Sequence, residues 1–387
     1  MQVYWCSAFL LPSFIAKECD RILRKFLWGG KGRGKVKWFE VCKPMAEDGL
    51  RIKDMKTWNR ALLLKQVWEI LMNQSFWARW CHVYLIKKSN FWVMPANGLH
   101  SWSWRQILLL RPVAKEHLIY KYGRGDKFSL WFDPWMHGES IHALYGHRVI
   151  HDTRLGRLAL VKDMIREGRW NLPLNSLDLV EIQHRVQDIP ITLTPDSISW
   201  VSIDNSFSTK LAWQGIRARS AEVHWHNLVW YPARIPKHAF CLWLALRRAH
   251  RTRDKLLAIR VIHSASCVFN CGEVESLEHL FFHCPFTHNV WMAVLAMCNV
   301  LRPISQWMDE VQWMLDHARG HKFPALVRKL AFAASIYHIW LERNRRCFKN
   351  QFMPAQEIIE KIKHDMAWKG CGWAGSHRGV SGIIAYL

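Results

Sequence analysis

The sequence predicts a mainly α protein of the α+β kind, in which a small β-hairpin region interrupts helices on either side. Two observations carry that reading. Apolar residues recur at helical spacing over 15–28 and 54–73, and again over 237–257 and in the helices between 285 and 368, and one aromatic, β-favouring stretch, IYKYGRGDKFSLWFDPW at 119–135, breaks the pattern. A third bounds it: half of the 387 residues are apolar, 22% are charged, and no segment is dominated by Pro, Gly or Ser. Such a chain buries enough surface to fold and is long enough for two or three domains.

In chain order, Ile15, Cys19, Ile22, Leu23, Phe26 and Leu27 mark an amphipathic helix that Gly29-Gly30 stops. Leu62, Leu63, Val67, Ile70 and Leu71 form one stripe of a second helix over 54–73, and a third surrounds Trp104–Leu110. The 119–135 stretch reads as a β-hairpin, with Arg124-Gly125-Asp126 as turn chemistry. Weak periodicity and the breakers Gly138, Pro173, Pro190 and Pro195 make 136–195 a linker or loosely packed connection. Short strands follow over 199–208, a helix over 209–218 and a strongly helical run over 237–257. Helices over 285–300, 307–317, 324–349 and 354–368 complete the chain, with a poorly ordered tail at 370–387. The expected segments are thus 1–135, 136–195, 196–300 and a helical extension over 301–387.

Lys and Arg number 54 against 31 Asp and Glu, a net charge of +23, which suits a polyanionic partner. The basic residues gather at Arg21, Arg24, Lys25, Lys31, Arg33, Lys35 and Lys37, at Arg247, Arg248, Arg251, Arg253 and Lys255, and at Arg343, Arg345, Arg346 and Lys349. Arg234, Lys237 and the second group are the expected phosphate contacts, with RNA or DNA as partner and binding that weakens with salt. A helical protein-interaction scaffold, or a product without activity, is the competing reading. Failure to bind any nucleic acid would favour the scaffold.

Eleven cysteines, seven of them without a near neighbour, do not form a secreted disulfide framework; a reducing intracellular compartment, nuclear or cytoplasmic, is expected. The first sixteen residues are apolar but lack the basic start of a signal peptide, and no apolar run reaches the length of a membrane span.

The segment CVFNCGEVESLEHLFFHC carries the chemistry. Cys267 and Cys271 are separated by three residues, His279 follows after seven and Cys284 after four more. Zinc takes thiolate and imidazole donors in a tetrahedron, and a cysteine pair on a tight turn spans one edge of it. All four positions are filled, so the expected site is structural, with His283 as a substitute fourth ligand. Tyr-x-Asp-Asp, any Asp-Asp pair, the phosphate-binding glycine loop, G-x-S-x-G and H-E-x-x-H are all missing from the chain, and the expectation is a protein that is not an enzyme.

The run FSTKLAW, WHNLVWYPARIPKHAFCLWLAL, RTRDKL and EHLFFHCPFTHNVW, within 207–291, resembles the zinc-binding domain of reverse transcriptases of plant non-LTR (LINE-type) retrotransposons. PSFIAKECDRILRKFLWGG, GLRIKDMKTWNRALLLKQVW and GRGDKFSLWFDPW resemble the region that follows the polymerase palm of those proteins, and IYHIWLERNRRCFKN resembles what often follows the zinc module. The resemblance implies a post-palm or thumb-like remnant over 1–135 and a fragment that keeps the binding parts without the polymerase. It also implies that Cys267, His279 and Cys284 match the family's zinc ligands directly. The family usually separates its first two cysteines by two residues, whereas Asn270 stands at that second position here and Cys271 comes one later. The slip puts zinc affinity in question.

Overall fold

Residue Asn59, at the first turns of the helix Met55–Met72, shows how the first half of the chain is assembled. Its buried amide donates to the carbonyls of Cys6 and Phe9 at 2.7 Å and accepts from Leu11 N at 2.8 Å, so the N-terminal helix Gln2–Ala8 is tied to a fully satisfied polar group. The computed structural model describes residues 2–30, 34–200 and 206–374, which form two compact units. One comprises 1–30 and 53–219, the other 31–52 and 220–387. Lys31 and Arg33, residues 201–205 of the 199–208 stretch and the tail after Ala374 lie outside the described residues.

In the first unit the helix Met55–Met72 starts on an Asp54 side chain that accepts from Thr57 N and ends on Asn73 in the left-handed region. It buries Leu63, Leu64, Val67 and Ile70 against Trp104, Ile107 and Leu108 of the helix Trp102–Leu109 and Trp213 of the helix Thr209–Ile216. The helix Ser13–Trp28 ends as expected at Gly29, φ 72°.

The expected hairpin does not form. Strand Leu118–Lys121 pairs antiparallel with Ser197–Trp200, Leu118 opposite Trp200. The reason lies in the turn: the Asp196 carboxylate, 2% exposed, accepts from the amides of Gly123 at 2.7 Å, Gly125 at 2.9 Å and Lys127 at 2.8 Å. Those bonds wrap the Arg124-Gly125-Asp126 turn around a carboxylate from a distant strand. Gly123 is required here, because a Cβ would lie 1.8 Å from the Thr194 carbonyl oxygen. Past the turn, Phe128, Leu130, Trp131, Phe132 and Trp135 enter a second core.

That second core corrects the reading of 136–195 as a loose connection. Ile141, Val149, Val161, Met164, Leu172, Leu179, Ile182 and Val186 are all buried in it, and Trp135 stacks on Trp170 at 5.6 Å. Each element there is short, as in the helix Leu177–Gln187 and the two-residue strands Ile165–Arg166 and Arg169–Trp170, so no stretch is long enough to show a period.

In the second unit the helix Phe323–Lys349 is the central element. Leu330 to Ile336 are buried without interruption, the mark of a helix covered on all sides. The helices Pro236–Leu246, Pro285–Met297 and Ala355–Ala374 pack around it, and Phe282, Trp291, Trp307 and Phe332 form an aromatic centre. The expected single helix over 237–257 is two, Pro236–Leu246 and Arg253–Ala258. Arg248 has φ 52°, while Arg248 N donates to the Ala245 carbonyl at 2.8 Å and Ala249 N to the Leu244 carbonyl at 2.7 Å. This is a Schellman ending with arginine where glycine is usual, which is why the sequence hides it.

Replacing Asp196 by Ala strips three amides of their acceptor, each worth about 1–3 kcal/mol when left unpaired and buried. Urea unfolding of Asp196→Ala is expected to show a loss of about 3 kcal/mol or more in the first unit, and Asp196→Asn a smaller one. A loss below about 1 kcal/mol for the Ala variant would remove Asp196 from this role.

Candidate metal centre

The metal centre is built in the second unit from a turn and a helix end. Ser266 and Val274 form an antiparallel bridge, Cys267 N donates to the Glu273 carbonyl at 2.8 Å, and Asn270 N to the Cys267 carbonyl at 3.1 Å. Within this knuckle Asn270 has φ 56° and Gly272 φ 89°. Asparagine tolerates the left-handed region, so the extra residue between the cysteines is absorbed as a left-handed kink and Cys271 is returned to the site. The one-residue slip is therefore accommodated in the backbone.

The other two donors come from the π-helical turn His279–His283 and from Cys284, which caps the helix Pro285–Met297. Cys284 N donates to the His279 carbonyl at 2.8 Å, fixing the two relative to each other. Cys271 Sγ lies 3.1 Å from His279 Nε2, Cys267 Sγ lies 3.9 Å from Cys284 Sγ, and all four ligand atoms fall within 4.8 Å of one another. Zinc–sulfur bonds of about 2.3 Å give a tetrahedron whose edges are about 3.8 Å, so the donor set has the size and chemistry of a zinc site. His283 is exposed, and His279 occupies the fourth position.

The hydrogen bond from the Cys267 thiol holds Cys284 down to about 5, helped by the amides of Phe286 and Thr287, while the same bond and burial raise Cys267. An ion at the centre would displace the shared proton, and its four protein donors leave no position for a reacting water.

Around the knuckle the packing is aromatic and ionic. Phe269 stacks on Phe286 at 4.7 Å, with the Arg346 guanidinium 4.6 Å from one ring and 4.5 Å from the other. Glu275, fully buried, accepts from Arg343 Nε at 3.0 Å, Arg343 Nη2 at 2.7 Å and Arg253 N at 3.0 Å. Arg343 and Arg346 of the third basic group are consequently internal, not phosphate contacts.

The second group divides as well. Arg247, with a side chain 15% exposed, is held by Asp48 and Glu40. Arg234 donates to the Tyr231 carbonyl at 2.9 Å and lies 5.5 Å over Trp230. Arg253 Nε donates to the Ser264 carbonyl at 3.3 Å, and Lys255 to the carbonyls of Arg248 and His250. Lys237, Arg248 and Arg251 are exposed, with Arg248 paired to Glu278 at 2.6 Å. A groove lined by Lys35, Lys37, Glu40, Arg247 and Arg248 brings the first and second groups together. Burial first, then the charge of Arg251, lowers the Lys35 pKa. Lys35 and Lys37 carry no local motif, and only the tertiary fold places them beside Arg248.

A knuckle of three cysteines and a histidine closed by a helix end defines a zinc-ligating domain. Residues 207–291 match the family described as zinc-binding in reverse transcriptase, and all four donors fall within that range. The chain carries a reverse transcriptase zinc-binding domain of the plant retrotransposon-derived kind. It is 30% identical over 341 residues, 82% of its length, to an Arabidopsis thaliana protein named "Putative ribonuclease H protein". The chain spans 53%, about half, of that relative. An "Uncharacterized mitochondrial protein" of the same plant is 25% identical over 146 residues, 36% of this chain and 95% of that protein. The first likeness overturns the expectation that the chain is not an enzyme, since it ties most of the chain to a relative named for a nuclease. The motifs missing from the sequence bear on other chemistries.

Asn270→Gly keeps the kink, whereas Asn270→Val puts a β-branched residue in the left-handed region at a cost of about 1–2 kcal/mol. Zinc affinity measured by chelator competition is expected to stay level for the first and fall about tenfold for the second. Equal affinity for both would show that the slip does not act through Asn270.

Proposed function

We propose that the second unit is a zinc-clipped nucleic-acid grip serving a retroelement-type enzyme, with zinc held by Cys267, Cys271, His279 and Cys284. The observation that supports it most is the basic groove at Lys35, Lys37 and Arg248, with exposed Arg251 beside it, carried on the loop that the zinc knuckle braces. The loop is braced because Arg253 N and Asp254 N, at the start of the following helix, donate to Glu275 of the knuckle. Phosphates of RNA or DNA are the ligands such a groove attracts, through charge rather than base sequence. Lys237 adds a further exposed cation. The relative named for a ribonuclease H makes a nucleic-acid-processing enzyme the natural setting. Thiolate ligands require a reducing compartment, so the setting is intracellular. No helix among the described residues is long and apolar enough to cross a membrane.

The test is binding of labelled single-stranded RNA and DNA across a salt series. Four phosphate contacts predict a fall on the order of 50-fold for a fourfold rise in salt, with a shallower slope in Lys37→Glu/Arg251→Glu. Binding that ignores salt, or survives unchanged in the double variant, would contradict the groove as the grip.

A further inference from the structure

A second cluster of ligating side chains lies away from the knuckle, where three helices of the second unit converge. His238 projects from Pro236–Leu246, His338 from Phe323–Lys349 and Asp365 from Ala355–Ala374. His338 Nε2 is 2.7 Å and His238 Nε2 3.3 Å from Asp365 Oδ2, and one donor atom from each residue falls within 4.8 Å of the others. His238 is fully buried; its Nε2 faces the Asp365 carboxylate without hydrogen-bond geometry, and its Nδ1 has no hydrogen-bond partner among the described residues. An unpartnered buried polar group costs about 1–3 kcal/mol, and a structure that keeps one calls for something to satisfy it. Tyr337 packs against the ring, with centroids 4.5 Å apart.

We propose that His238, His338 and Asp365 form a second divalent metal site, of zinc class, with three protein ligands. Two imidazoles and one carboxylate are a borderline donor set that suits zinc over calcium or magnesium, which take oxygen shells. Bonds of about 2.0–2.1 Å in a tetrahedron put donors about 3.3 Å apart, the separation of His238 from Asp365. His338 and Asp365 move apart by a fraction of an ångström when the ion replaces their hydrogen bond. The site differs from the knuckle in kind: it has no thiolate, and three ligands leave the fourth position to water or another small ligand. Entry is from the Asp365 side, whose side chain is 19% exposed while that of His238 is sealed. Lys237 and Lys361 are the cations nearest the cluster, and the single carboxylate offsets them in part.

The experiment is a Zn2+ titration of the chelator-stripped full chain against a chromogenic competitor, with His338→Ala, Asp365→Asn and Cys284→Ser alongside. Wild type is expected to bind about two ions, the His338 and Asp365 variants about one, and Cys284→Ser to keep the ion that those two lose. The same zinc count in wild type and in both cluster variants would overturn the proposal. So would a single wild-type ion that only Cys284→Ser removes, whereas a single ion lost only in the cluster variants would uphold this site and defeat the knuckle. Should His338→Ala fail to fold, Co2+ loading of wild type decides. A component of the visible spectrum without thiolate-to-metal charge transfer supports the site, and charge transfer that grows in proportion to all bound cobalt contradicts it.

Discussion

Glu275 and Arg343 meet where water does not reach, and the second unit is arranged around that meeting. An exposed ion pair such as Arg21 with Glu18 adds little because water screens it, whereas stripping one partner from a buried pair costs about 3–5 kcal/mol. The buried pair therefore fixes position where the surface pairs do not. Glu275 ends the zinc knuckle, Arg343 belongs to the long helix Phe323–Lys349, and the same carboxylate accepts the amide of Arg253 that opens a further short helix. Three elements separated in sequence are referred to one carboxylate. With Arg346 lying against the stacked pair Phe269 and Phe286, the knuckle is docked on the helix by two arginines whose positive charge sequence inspection assigns to phosphate.

Zinc and this docking divide the work. The metal would hold the knuckle's own four donors together, while the ion pair orients the knuckle on the unit. The consequence reaches the basic loop at 247–253, whose left-handed Arg248 and buried His250 leave it little backbone freedom. Rigid placement matters for a groove that recognises phosphates, because cations held in place lose less entropy on binding than cations on a free loop.

Much of this was legible in the chain. The four donors stood out by spacing, since ligand type and separation are local properties, and helices with clear stripes, such as Met55–Met72 and Trp307–His317, were found nearly to the residue. What the sequence concealed is what depends on distant partners. Nothing local to the strand Leu118–Lys121 announces its distant partner or Asp196, and the core over 128–189 is built of elements too short to show a period. The break at Arg248 carries no local signal because arginine occupies the position where glycine would mark it. His238, His338 and Asp365 come from helices far apart in the chain, so no spacing could have joined them. Charge is the most misleading signal: Arg343 reads as a surface cation and is buried, and Arg247 and Arg346 are held in ion pairs with Asp48 and Glu342. The missing polymerase motifs misled in another way, because they speak to one reaction and leave a nuclease-named relative untouched.

X-ray absorption at the zinc edge, on the full chain loaded with its first, tightest equivalent of zinc, reads the donor set of the knuckle itself. A shell of three sulfurs at about 2.3 Å and one nitrogen at about 2.0 Å is expected. A first shell of nitrogen and oxygen alone would contradict it.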